Sequence, residues 1–154
     1  MSVVSSLSQV HQTLFEAKKA RGFTFAQIGE KIGRDEVYVA AVFYGQAKPT
    51  KEDIAALSKA LGLTNGALHK ELGDQFFPER GQLTPMPPTD PLLYRLYEII
   101  LTYGYPLKSV MHEKFGDGIM SAINFNATVD KVEKDGQEFV KLTFLGKWLP
   151  YARW

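Results

Sequence analysis

Between Asp90 and Gly104 the chain runs through PLLYRLYEIILTY, in which only Arg95, Glu98 and Thr102 are clearly polar. Asp90 suits an N-cap, Pro91 the first helical position and Gly104 a C-terminal stop. At about 100° per residue, Leu92, Leu93, Leu96, Ile99, Ile100 and Tyr103 share one broad face. Tyr94, Tyr97 and Leu101 carry the apolar surface round most of the remainder. A helix that is apolar on nearly every side needs burial on nearly every side. A domain of this size can hardly supply that, so further subunits are expected to.

The narrow polar strip places Arg95 beside Glu98 at the i,i+3 spacing. One reading is a structural ion pair of the kind found on many helix surfaces, worth a few tenths of a kcal/mol. The other is an anion site, because an arginine in a dry setting, oriented by a carboxylate, offers a fixed fork of donors to a small oxyanion. Spacing alone leaves both open.

The chain of 154 residues has room for one ordinary domain or two small ones. Its net charge of +1 gives no global field toward nucleic acid or an anionic membrane. No cysteine is present, which excludes disulfides, thiolate metal sites and a cysteine nucleophile. The N-terminus, MSVVSSLSQVHQTLFEAKKARG, lacks the basic start and apolar core of a secretory signal, and no apolar run approaches membrane-spanning length. A soluble, cytoplasmic protein is the expectation.

From Ser5 to Gly73 the pattern predicts five short helices with glycine stops. Ser5 or Ser6 caps the first, which ends at Gly22. Thr24 and Gln27 form a capping box for the second. Asp35 caps the third, Thr50 the fourth and Thr64 the fifth. The second and third resemble the helix-turn-helix of phage-repressor-like DNA-binding domains. The helix in the recognition position offers Asp35, Glu36, then Val37, Val39, Ala40, Ala41, Val42 and Phe43, with only Arg34 and Gln46 flanking it. DNA readers need Lys, Arg, Asn or Gln there. Residues 1–80 carry ten Lys and Arg against nine Asp and Glu, so no basic footprint appears. The expectation is a repressor-like fold whose DNA surface has been replaced by a protein contact.

Residues 74–89 read as a linker, with Pro78, Pro85, Pro87 and Pro88 forbidding a helix and Gly81 loosening the chain. After the Arg95 helix, Leu107–Phe115 predicts a second short helix ending in the Gly116-Asp117-Gly118 turn. From Asn124 the pattern alternates as a strand, Asp135-Gly136 is a hairpin turn, and Val140, Leu142 and Phe144 line one face of the return strand. A lone hairpin is marginal in water, so its partner is most economically another copy of the chain. The aromatic tail GKWLPYARW has no evident local core to join. The fold class is α+β: a five-helix bundle over 1–73, the linker over 74–89, and a small α+β domain with a hairpin over 90–154.

Other sites are weak. His112-Glu113 begins a metalloprotease-like helix, but Gly116 stands where the second histidine belongs. His11 and His69 are distant in sequence, so no metal is expected. Ser121 has no G-x-S-x-G setting and no histidine partner, which argues against covalent serine chemistry. Just after a glycine-framed turn, its hydroxyl either bonds its own backbone or donates to a bound anion alongside free backbone N–H groups.

Three stretches, YRLYE, LKSVMHEKFGDGIMSAINF and GKWLP, resemble the cyanase (cyanate hydratase, or cyanate lyase) family closely, and the helical N-terminal half agrees in layout. The resemblance implies catalytic roles for Arg95, Glu98 and Ser121, and substrate binding by Arg95, Ser121 and Ala122. It implies conversion of cyanate and bicarbonate to carbamate and carbon dioxide, with carbamate then giving ammonia and more carbon dioxide. It implies no metal or organic cofactor, bicarbonate being a co-substrate; the charge balance and the lack of a spanning run leave no nucleic-acid or membrane partner expected. It further implies a homodecamer, a pentamer of dimers, with each site built from several chains. The rival reading is a DNA-binding regulator with a C-terminal oligomerisation module.

Overall fold

The computed structural model describes residues 2–154. Its elements are α1 (Val3–Ser6), α2 (Gln9–Arg21), α3 (Phe25–Ile32), α4 (Glu36–Phe43), α5 (Lys51–Leu61), α6 (Asn65–Leu72), α7 (Pro91–Phe115), β1 (Gly118–Lys134) and β2 (Gln137–Pro150). This is the expected α+β order, helices first and a hairpin last. The chain divides into one unit ending at Leu83 and a second, Thr84–Trp154.

In the first unit the local signals act as their chemistry requires. The Thr24 hydroxyl accepts from the Gln27 N–H while the Gln27 side chain accepts from the Thr24 N–H at 2.9 Å. Thr50 and Asp53 repeat that reciprocal cap at the start of α5. The first long helix starts later than expected, after Ser8 rather than Ser5 or Ser6, because Ser2–Ser6 close a short turn of their own. The Ser8 hydroxyl makes no cap and instead lies 2.8 Å from His11 Nδ1.

Leu14, Ile28, Val39, Val42, Phe43, Ile54, Leu57, Leu61, Leu68 and Leu72 form one buried cluster drawn from α2 to α6. Phe15 and Phe25 each meet Phe43 edge-on at 5.3 Å, a geometry that aromatic quadrupoles favour. Helix α4 spends Val39, Val42 and Phe43 in this core and carries no basic residue in its last turn. The two polar residues flanking it are also committed. Arg34 Nε donates to Asp53 at 2.7 Å, and Gln46 Oε1 accepts from the Gly81 N–H at 2.8 Å. Little is left on this element to read bases.

Residues expected as linker partly belong to this unit. Phe76 packs against the helical core, and Lys48 Nζ donates to the Asp74 carbonyl at 2.9 Å.

The second unit departs from expectation in three ways. First, Gly104 does not end the helix. One helix, α7, runs through Gly104 and Pro106 to Phe115, and Gly104 is absent from the positive-φ positions where a stop would place it. Proline removes one helical hydrogen bond at a cost of about 3 kcal/mol, but Leu107, Lys108, Met111, Glu113 and Lys114 beyond it favour the helix. The true stop is Gly116, at φ +80°. Second, β1 begins at Gly118, six residues before the alternating pattern at Asn124 becomes visible. Third, Trp148 of the tail does have a local partner: it stacks on Phe115 at 5.1 Å and meets the edge of His112 at 6.1 Å.

The hairpin turn is as expected. Asp135 and Gly136 lie at φ 54° and 70°, the two left-handed residues of a turn whose twist matches the flanking strands. Antiparallel pairing runs from Lys134 opposite Gln137 to Gly118 opposite Pro150, with a register shift between Met120 and Phe125. Leu142 and Phe144 face Val129 and Ala127 across the ladder. None of the α7 residues is buried, and Ile100 stays 58% exposed.

Candidate active site

Arg95 and Glu98 sit one turn apart in the N-terminal half of α7. That end of the helix is fixed by Asp90, whose Oδ1 accepts from the Leu92 and Leu93 N–H groups at 2.9 and 3.0 Å. Arg95 Nη1 donates to Glu98 Oε2 at 2.9 Å, and the guanidinium lies 5.8 Å from the centre of the Tyr94 ring. The pair predicted from spacing therefore forms. In a single chain it is not dry: the two side chains are 66% and 53% exposed.

Ser121 is placed differently from the sequence expectation, on a strand rather than just after a turn. Met120 pairs with Trp148 and Phe125 with Gly146, so residues 121–124 stand opposite Lys147 alone. This is a bulge of unusual size in β1. Within it the Ser121 hydroxyl oxygen accepts from the Ile123 N–H at 3.1 Å and the Asn124 N–H at 2.9 Å. Of the two readings of this hydroxyl, the bond to its own backbone is the one a single chain makes, and the serine occupies both of these backbone donors. Ser121 is 5% exposed and is the one buried polar side chain of the second unit among the described residues. Ala122, its neighbour in the bulge, is exposed.

Two glycines frame the bulge for steric reasons. A Cβ on Gly118 would stand 2.6 Å from the Leu149 carbonyl oxygen, and one on Gly146 would stand 2.5 Å from the Ser121 carbonyl oxygen. Gly146 is the residue that sequence reasoning missed. A glycine inside an otherwise regular strand, as in LTFLGKWLP, is the signal for a bulge or a close backbone approach. A cavity of about 310 Å³ opens beside it, lined by Asn124, Phe125, Asn126, Leu145, Gly146 and Lys147.

His112 serves packing. Its Nε2 lies 3.3 Å from the Gly118 carbonyl oxygen, joining the end of α7 to the start of β1. With Trp148, Gly118 and Met120 it borders an apolar cavity of about 330 Å³. Among the described residues no group of three or more His, Asp or Glu converges as a metal-ligand set would, and no helix is long and apolar enough to cross a membrane. Within one chain, no hydrogen bond links Ser121 to Arg95 or Glu98 among the described residues. One chain thus supplies a charged pair and a buried hydroxyl as separate parts.

The chain matches the family described as "Cyanate lyase C-terminal domain" over residues 85–153, the second unit almost entire. It is 52% identical over 149 residues to a cyanate hydratase of Coprinopsis cinerea, covering 97% of this chain and 98% of that protein. A cyanate hydratase of Mycosarcoma maydis is 52% identical over 153 residues, covering 99% of this chain and 94% of the relative. Among solved structures, the cyanase from T. urticae superposes with a TM-score of 0.76 at 29% identity, covering 92% of this chain and 96% of that one. Likeness of this extent spans the helical unit as well as the site, and the chain belongs to the cyanate hydratase (cyanate lyase) family.

Proposed function

We propose that the protein decomposes cyanate in a bicarbonate-dependent reaction, giving carbamate and carbon dioxide and then ammonia and a second carbon dioxide. Family membership supports the cyanate chemistry. The observation that carries the residue assignment is the contrast between an oriented Arg95–Glu98 pair and a serine hydroxyl buried in a bulge, on a unit otherwise without buried polar side chains.

Both substrates are monoanions that repel each other. Arg95 neutralises that charge and holds their oxygens in a fork, combining positioning with electrostatic stabilisation. Ser121, with Ala122 beside it, orients the second anion. Glu98 holds the guanidinium in place and handles protons. A bicarbonate oxygen attacks the cyanate carbon, giving a mixed dianion. Cleavage between the bridging oxygen and the carbonate carbon releases carbon dioxide. The cyanate nitrogen takes the bicarbonate proton and one more, leaving carbamate. Carbamate takes up a further proton and separates into ammonia and carbon dioxide. The chain itself supplies the groups for these steps, without a metal or organic cofactor.

The site closes where copies of the chain meet, Arg95 and Ser121 of one site coming from different chains. Support comes from α7, which leaves Leu92, Ile100, Leu101 and Tyr103 exposed in a lone chain. Large apolar side chains left exposed on several sides of one helix mark an interface. The reading includes a homodecamer built as a pentamer of dimers, working in the cytoplasm. The test is to follow ammonia from cyanate with and without bicarbonate. Release that requires bicarbonate is expected. No ammonia in either case, together with a salt-dependent shift of duplex DNA, would establish the rival regulator instead.

A further inference from the structure

We infer that Gly146 is a positioning residue for Ser121, and that the bulge it permits makes the serine hydroxyl a donor only. This deepens the anion-binding role given to Ser121 above and rests on that reading for its consequence in turnover.

A serine hydroxyl has one proton to give and two lone pairs to fill. In the bulge both lone-pair directions are met, by the Ile123 N–H at 3.1 Å and the Asn124 N–H at 2.9 Å. With its accepting capacity used, the oxygen presents only its proton to a ligand. Such a group suits the charged oxygens of an anion, which only accept, and it discriminates against a neutral donor. The two N–H bonds also polarise the hydroxyl, since hydrogen bonds in series strengthen one another.

The geometry depends on the facing strand. Four residues, 121–124, are accommodated opposite one, Lys147, so the bulged strand presses back onto its neighbour. At Gly146 it comes so close that a Cβ would stand 2.5 Å from the Ser121 carbonyl oxygen and 2.6 Å from Met120 Cγ. Met120 is a flexible side chain and can move. The Ser121 carbonyl is backbone, so any side chain at 146 displaces the serine itself. Gly146 shows no positive φ, so space, not backbone conformation, is what requires glycine here.

Gly118 supplies a control on the same pair of strands. Its Cβ would meet the Leu149 carbonyl oxygen at 2.6 Å and Trp148 at 2.8 Å. The steric insult is equal in kind, but it falls on β2 rather than on Ser121.

The test measures amide hydrogen exchange in the assembled full-length protein beside its steady-state kinetics. The Ile123 and Asn124 amides should be protected in the natural sequence. In Gly146→Ala they should exchange at least about ten-fold faster, and kcat/KM for both anions should fall about 100-fold, as expected of a catalytic group misplaced by an ångström. Gly118→Ala should leave those two amides protected and lose less activity. Ser121→Ala, which leaves the backbone untouched, should also release both amides and keeps the test open if Gly146→Ala fails to assemble. Unchanged protection in Ser121→Ala, or equal kinetic losses in the two glycine variants, overturns the inference. Protected amides in a protein without cyanate turnover would instead retire the proposed function and leave the bulge geometry standing.

Discussion

The two units solve the problem of burial in opposite ways. The helical unit encloses ten large apolar side chains from five helices, and its caps, stops and polar network all serve that one cluster. In the second unit α7 has no buried residue, and Ile99, Ile100, Phe139, Val140, Phe144 and Leu145 lie exposed. Similar apolar content therefore does not mean equal independence. A folded chain rarely leaves large apolar patches exposed unless a partner covers them or aggregation follows. The first unit closes an apolar core of its own, and the second leaves much of its apolar surface uncovered within one chain. On the proposed reading, a site assembled from several such units brings together charges that one chain could not bury alone.

The contrast is broken most forcefully in the core. Phe43→Ala should cost the helical unit about 3–5 kcal/mol, read as a lower denaturant midpoint that does not depend on protein concentration. Phe144→Ala, on the exposed hairpin, should instead make unfolding more sensitive to dilution. An equal, concentration-independent loss from both variants would erase the distinction. Ile100→Glu comes next. A carboxylate placed on a face meant to be buried costs about 3 kcal/mol or more, and sedimentation should show smaller species while the helical unit melts unchanged.

Asp53→Asn sharpens the other side of the comparison at about 2 kcal/mol. Burial alone would push the Asp53 carboxyl up. Hydrogen bonds from Arg34, the Thr50 N–H and Tyr38 outweigh it and hold the group below its ordinary value. The same environment pushes the Tyr38 hydroxyl up to about 12, chiefly through burial and then the adjacent carboxylate. The sign for Asp53 is that of a depressed carboxylate: its stabilisation is present above the ordinary value of 3.8 and is lost as pH falls through the lower folded value. The asparagine variant should flatten the acid limb of a stability–pH curve.

The smallest effect belongs to His11, 5% exposed with Nε2 unpartnered. Burial lowers its affinity for a proton below the ordinary 6.5. The unfolded chain then binds the proton more readily, so stability rises with pH through that range and is lost as pH falls below 6.5. His11→Phe should remove this slope from the thermal midpoint of the helical unit. Persistence of the slope would locate it elsewhere.

Local chemistry made the first unit readable. Thr24 with Gln27, and Thr50 with its own cap, announce helix starts because backbone donors there need side-chain oxygens. Asp135-Gly136 announced the hairpin for an equally local reason. The second unit was readable in its patterns and less so in its joints. Gly104 looks like a stop, yet the helix continues, since a breaker only weighs against a helix whose remainder can still carry it. Ser121 was legible as a candidate but not as a bulge residue, because Ile119, Met120, Ala122 and Ile123 show no alternation from which a strand could be read. Its setting depends on Gly146, twenty-five residues away and brought close only by pairing. Arg95 beside Glu98 followed from helical spacing alone, whereas the exposure of the pair in a single chain, 66% and 53%, could not be read from spacing.

The most direct measurement is complementation between inactive variants. Arg95→Lys keeps the charge but lacks the fork, and Ser121→Ala lacks the hydroxyl. Each should lose most activity as a homo-oligomer. Dissociated, mixed and reassembled, the two should recover a share of turnover, because some sites receive Arg95 from one parent and Ser121 from the other. Mixed assemblies with no recovery, or full turnover by a chain diluted to the monomer, would contradict a site built between chains.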